Sequence, residues 1–270
     1  MQKSVFLFVI FFITNTLQCQ INSVTGIRQN SLGNTGSNIS DLWSVKNNPG
    51  SFAFMNGTQA SLIYQNRFLI SELASQAVAF GHSTDIGNVG FFFNHTGFSL
   101  FRTLQLGGTY AIELSPRLGM GVNFNYNQTR FGDIYGVKHH FLAGIGIQYK
   151  LKKNVLISGV VQNVNRSKVS DIENERLPTF FNLGISYQIS DQVLWLLDLE
   201  KELASQINVK SGVELAAHEY LDVRLGVNSF PFQSSFGFGT HFKQLKIDLA
   251  ANWHSQFGLA PSFGFLYKFE

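Results

Sequence analysis

Seven histidines, His82, His95, His139, His140, His218, His241 and His254, give this chain most of its capacity for acid–base or metal chemistry. Hydrolysis by a nucleophile needs a serine or cysteine beside such a base, and the base beside an orienting acid. No Gly-x-Ser-x-Gly occurs, and Ser–His neighbours such as His82-Ser83 fall where any turn would put them. His139 and His140 are adjacent, so on a strand they face opposite sides and cannot share a metal ion. The one cysteine, Cys19, excludes a disulfide framework and any multi-cysteine metal site. Gly119-x-Gly121, Gly144-x-Gly146 and Gly237-x-Gly239 resemble pieces of a nucleotide loop, but they lie inside strand-like segments, where no phosphate cradle forms. The expectation is a protein that is not an enzyme, with no catalytic residue, metal or cofactor.

The charges are more informative. Asp198, Lys210, Glu214, Asp222, Arg224, Lys246 and Asp248 fall at alternate positions of successive segments, all on the more polar side. Mixed signs on neighbouring strands imply an internal ion-pair network that closes a lumen. The other reading is a polar conduction path, although open porins use wider barrels of about 16–18 strands.

The elements that must hold these groups are legible from a period of two. Met120, Val122, Phe124 and Tyr126 alternate with Gly119, Gly121, Asn123, Asn125 and Asn127. Leu221, Val223, Leu225 and Val227 alternate with Asp222, Arg224, Gly226 and Asn228. Leu245, Ile247, Leu249, Ala251 and Trp253 alternate with Lys246, Asp248, Ala250, Asn252 and His254. Such segments are strands with one apolar and one polar face. Fourteen are expected, starting near Thr58, Ala74, Gly87, Thr103, Arg117, Lys138, Asn154, Thr179, Gln192, Gln206, Tyr220, Gln233, Gln244 and Gly258. Their connections alternate short and long, as in an up-and-down meander with tight turns at one rim.

Composition separates a barrel from a sandwich. Of the 270 residues 14% are charged, against roughly 25% in a typical soluble domain. There are 27 Phe, 8 Tyr, 3 Trp and 25 Gly, and a net charge of +3 without basic clusters argues against nucleic acid. A soluble sandwich would need charges on its outer face. Here the polar face is mostly Gly, Ser, Asn and Gln, which suits a barrel interior, while the aliphatic and aromatic face suits lipid. Phe263, Phe265, Tyr267 and Phe269 end the last strand in aromatics. The expected fold is all-β, a closed antiparallel up-and-down transmembrane barrel at residues 58–270.

Before it, Lys3 and the nine apolar residues from Val5 to Ile13 read as a signal peptide, residues 1–19, since a spanning helix needs about 20 apolar residues. Cleavage after Cys19 sends the chain to a Gram-negative-type outer membrane; a lipidated Cys19 is the rival reading, with the polar Gln18 against it. Residues 20–57 alternate poorly and hold one helical candidate from about Ser40 to Lys46, capped by Ser40 or Asp41. This segment either hangs in the periplasm or folds back as a hatch. The hatch is favoured because Leu42, Trp43, Phe52 and Phe54 would otherwise meet water.

Leu32-Gly33-Asn34 followed by Asn48-Pro49-Gly50-Ser51-Phe52 resembles the N-terminal region of FadL-type barrels, where an Asn-Pro-Ala element joins hatch and first strand; Gly50 stands for the Ala. Leu114-Ser115-Pro116-Arg117-Leu118-Gly119, Val161-Gln162-Asn163, Leu177-Pro178, Asn182-Leu183-Gly184, Gly212-Val213-Glu214 and Arg224-Leu225-Gly226 resemble the PorV/PorQ branch. That resemblance implies an accessory of type IX-like protein secretion or surface display, with secretion-machinery or cargo proteins as partners beside outer-membrane lipid. Its binding surface would be the long loop at 164–178, charged through Arg166, Lys168, Asp171, Glu173, Glu175 and Arg176. The alternative is a FadL-like transporter of hydrophobic small molecules. A lateral opening would then form at the third strand, with Gly87 and Gly90 for a kink and Phe92 for a pocket. Lipid-facing packing of that Phe run is the competing explanation.

Overall fold

A computed structural model of the protein describes residues 24–132, 136–168, 176–203 and 205–269. The expected signal peptide and residues 169–175 of the 164–178 loop, with Asp171, Glu173 and Glu175, lie outside the described residues.

Fourteen strands close into one antiparallel barrel, each paired with its sequence neighbours and the last with the first. They are β1 (Thr58–Gln65), β2 (Ser75–Thr84), β3 (Gly87–Gly97), β4 (Phe101–Ser115), β5 (Leu118–Phe131), β6 (Val137–Lys152) and β7 (Val155–Gln162). The circuit continues with β8 (Phe180–Gln188), β9 (Val193–Glu202), β10 (Ile207–His218), β11 (Leu221–Ser229), β12 (Phe232–Phe242), β13 (Leu245–His254) and β14 (Gly258–Phe269). Every strand starts within two residues of the position expected from the alternation. Closure runs from Thr58 opposite Phe269 to Gln65 opposite Ser262. With no free edge, every strand's backbone finds its partner within the barrel wall.

Alternation sorts the two faces. Phe124, Phe141, Leu183 and Leu225 are each more than 60% exposed on the outside. Water would penalise a belt of that kind all round a molecule, whereas hydrocarbon matches it. No helix among the described residues is long and apolar enough to cross a membrane. Short turns join β2 to β3, β4 to β5 and β12 to β13 at one rim. There the Ser115 hydroxyl accepts from the backbone N–H groups of Arg117 and Leu118, at 3.3 and 3.2 Å. The longer connections, including two 3-10 turns at Arg67–Leu69 and Ser71–Leu73, gather at the other rim.

The N-terminal segment lies inside the barrel. It forms three short helices, α1 (Ile27–Ser31), α2 (Ser44–Asn47) and α3 (Pro49–Phe52). The helix expected from Ser40 begins only at Ser44. Asp41 holds the turn before it, its carboxylate accepting from the Trp43 N–H at 3.0 Å. α1 and α3 escape a periodicity reading because the lumen surrounds them, so no solvent-facing stripe exists to reveal a 3.6 period. Leu42, Trp43, Val45 and Phe52 are buried.

Candidate functional site

The lumen is where the chain's chemistry collects, and wall glycines shape it around the hatch. A Cβ at Gly50 would sit 2.4 Å from Ile147 Cα, and one at Gly121 would sit 2.6 Å from the Pro49 carbonyl oxygen. A Cβ at Gly226 would lie 2.0 Å from the Gly33 nitrogen, and one at Gly237 2.5 Å from Ser31 Cβ. Of the Gly-x-Gly pairs inside strands, Gly119, Gly121, Gly146 and Gly237 thus lie directly against the hatch, whereas Gly144 faces Asn123 and Gly239 faces Arg224 and Asp248. Gly119, Gly121 and Gly146 receive the Asn48-Pro49-Gly50 corner. Asn48 builds that corner: its side-chain oxygen accepts from Gly50 N–H at 2.8 Å, and its amide nitrogen donates to Ser37 O at 2.6 Å and Ile147 O at 3.3 Å. Pro49 at the first helical position of α3 needs no N–H partner.

On the β9–β13 side the lumen is ionic. Arg224 is fully buried and donates to Glu214 at 2.6 Å, Asp222 at 2.8 Å and Asp248 at 2.6 Å. Lys246 Nζ stands 3.7 Å from Asp222 and 3.9 Å from Asp248. Arg28 of α1 joins from the hatch, its Nε 2.8 Å from Glu214. Burial works against the Arg28 charge, but facing Glu214 outweighs it and holds the guanidinium above its ordinary pKa. Burial likewise pushes the Asp41 carboxyl up, against the pull of Arg28. Removing Arg224 would leave Glu214 to Arg28, and Asp222 and Asp248 to the more distant Lys246, in a low-dielectric interior.

Of the seven wall charges singled out in the sequence, Glu214, Asp222, Arg224, Lys246 and Asp248 meet in this cluster. Lys210 instead pairs with Glu200 at 2.7 Å. Asp198 accepts from the hatch: Gly36 N–H at 2.9 Å, Ser37 N–H at 3.1 Å and the Ser37 hydroxyl. Glu200 and His241, which lies 2.6 Å from Asp222, were missed although they share parity with Asp198 and Gly239. Asp41 was legible only as a helix cap and Arg28 gave no signal, because the hatch has no alternation to place them in the cluster.

On the β1–β4 side the lumen is apolar. Hatch residues Leu42, Trp43, Val45, Phe52 and Met55 pack with Ile63, Ala77, Ala79, Phe92 and Ala111 of the wall. Thr109 and Asn88 tie down the backbone above and below, Asn88 Nδ2 lying 2.7–3.0 Å from the carbonyls of Phe52, Ala53 and Met55. Lys46 lies beside this seam, its Nζ 5.7 Å from the Phe92 ring centroid and donating to Val24 O. Burial, with Arg67 nearby, pulls its pKa down to about 7.

Gly90 lies beneath Phe52 and Val45, and Phe92 is 2% exposed within the seam. Gly87 opens β3 at the turn, with φ +138°. β3 pairs from Gly87 to Thr96 with β2 and from Asn88 to Gly97 with β4, without a bulge on either edge. The wall beside Phe92 is therefore closed.

The seam ends at the short-turn rim in a cavity of about 380 Å³. Ile27, Trp43, Ile63 and Leu266 form its apolar side, and Arg28, Glu214, Asp222 and Lys246 its ionic side. Of the adjacent histidines, His140 is buried inward with Nδ1 3.1 Å from Lys168 O, and His139 is exposed beside the Tyr126 hydroxyl at 2.6 Å. No group of three or more His, Cys, Asp or Glu among the described residues has metal-site geometry.

The chain is similar in structure to the toluene transporter TbuX of Ralstonia pickettii, with a TM-score of 0.72 and 13% identity over 91% of this chain and 98% of that one. It is also similar to the toluene transporter TodX of Pseudomonas putida, at 0.64 and 12% over 91% and 98%. A Pseudomonas aeruginosa FadL homologue matches at 0.61 and 12% over 92% and 99%. At these identities the likeness is one of fold. It bears on the FadL-type part of the sequence resemblance and not on its PorV/PorQ part. No protein-family model and no curated protein sequence matches the chain.

Proposed function

We propose that the protein is an outer-membrane channel for small apolar molecules. The observation that carries this reading is the apolar seam between the hatch and the β1–β4 wall, the larger of two apolar hatch–wall contacts, the other being Leu32 and Ile39 on Leu196 of β9. Phe92 sits in the seam, and the cavity at the short-turn rim continues it. The fold shared with proteins described as toluene transporters supports the same reading. The exposed apolar belt supports the membrane location.

Purification from the native outer membrane in mild detergent, followed by mass spectrometry, tests it. The expected result is a retained apolar small molecule, lost in Phe92→Asp. A stoichiometric protein partner with no small molecule would instead support an accessory of protein export, a reading that rests on the PorV/PorQ resemblance of the motifs.

A further inference from the structure

Above Phe92 the wall changes character. Asn94 of β3 lies opposite Gln105 of β4, and Gln105 lies opposite Asn127 of β5. Asn125 and Asn123 follow down the inner face of β5. The side-chain oxygens of all five amides are buried and accept from no protein donor among the described residues. Asn94 and Asn123 are at most 4% exposed. The patch meets the seam at Gly107, where a Cβ would lie 2.2 Å from the Phe92 ring and 2.3 Å from the Asn125 oxygen. One glycine thus carries an aromatic ring and an unpartnered amide side by side.

We infer that this amide wall is a recognition site for an uncharged hydroxyl on the transported molecule, and that the substrate is an apolar ring or chain bearing such a group. The inference rests on the transporter reading and names its substrate class. Buried amide oxygens without donors are costly, so they favour a ligand that donates. A hydroxyl both donates and accepts, and so serves either end of a carboxamide. A bare hydrocarbon would cover the amides and return no hydrogen bond. A carboxylate only accepts, and it would bring a net charge to a wall that carries none. The inward positions of residues 88–96, 103–111 and 119–129 hold no Lys, Arg, Asp or Glu. On the hatch side Lys46 places a cation 5.7 Å from the Phe92 ring centroid.

Three probes of one shape separate these cases: toluene, p-cresol and p-toluate, with binding to the purified barrel measured by equilibrium dialysis at matched free concentrations. p-Cresol should bind about tenfold tighter than toluene, the scale of one or two net hydrogen bonds. Asn125→Leu and Gln105→Met should each shrink that margin, read as the ratio of p-cresol to toluene binding within the same variant. Unheated gel migration checks that each variant keeps its barrel, and if Asn125→Leu does not fold, Gln105→Met decides alone. Equal binding of toluene and p-cresol, or a margin that survives both substitutions, would overturn the inference and leave the transporter intact. A preference for p-toluate that vanishes in Lys46→Met would overturn it in favour of Lys46. If none of the three binds, the transporter reading itself fails.

Discussion

Lys46 shows most plainly how one residue feels the whole lumen. Its ammonium lies among the hatch and the Phe92 ring, and burial brings its pKa from 10.5 to about 7. The unfolded chain then holds more protons than the folded one between those two values, so folding gains stability as pH rises through that window. Below pH 7 both states carry the charge and the full cost of burying it remains. The denaturant midpoint in detergent should therefore climb from pH 7 towards pH 10, on the order of a few kcal/mol in all. Lys46→Met should flatten the climb, and a pH-independent midpoint in the parent protein would show that Lys46 is well solvated. Arg224 is the opposite case. Its charge is just as buried, but three carboxylates surround it, and each depends on the others being present.

Among the elements, α3 matters beyond its four residues. Asn48 caps it, Pro49 starts it and Gly50 lays it on the β6 backbone at Ile147. A side chain at Gly50 would push into main chain, which cannot rotate away as a flexible side chain can. Gly50→Val should loosen the hatch by roughly 1–3 kcal/mol, the usual range for overpacking. Limited proteolysis should then cut within residues 24–57 while the barrel stays resistant. An unchanged digestion pattern would mean that the hatch can slide to accommodate the methyl groups. The glycine that stands where a FadL-type element carries Ala thus fits its site, since even an alanine Cβ has no room there.

For the molecule as a whole, the outward belt decides the solvent. Leu225, at the middle of β11, is 62% exposed. In a lipid bilayer, Leu225→Lys should cost roughly 2–4 kcal/mol, because the ammonium must reach the interface from the centre of the hydrocarbon. Reversible unfolding in lipid vesicles measures this. A neutral or stabilising effect would mean that the belt faces water or a protein partner. The two halves of the lumen divide the interior in the same way: ion pairs pin the hatch on the β9–β13 side, and apolar packing seats it against β1–β4. A hatch held by both is fixed to the wall from two sides.

The barrel was legible in the chain because strand side chains alternate strictly. Parity alone placed Asp222, Arg224 and Asp248 on one inner face, and it placed the Gly-x-Gly pairs there too. Parity cannot say which inward groups meet, since that depends on register and on what fills the lumen. Lys210 therefore faces Glu200 and Asp198 faces the hatch, although both share parity with the Arg224 cluster. The hatch was legible as a need to hide Leu42, Trp43, Phe52 and Phe54 and as one helical candidate; Arg28, Asp41 and Lys46 lie on one-turn helices and a turn, too short for a period to show what they face. The amide wall was half visible, as Asn123, Asn125 and Asn127 on one face. That their oxygens lack donors, and that Phe92 lies beside them, was decided only when three strands were brought into register around Gly107.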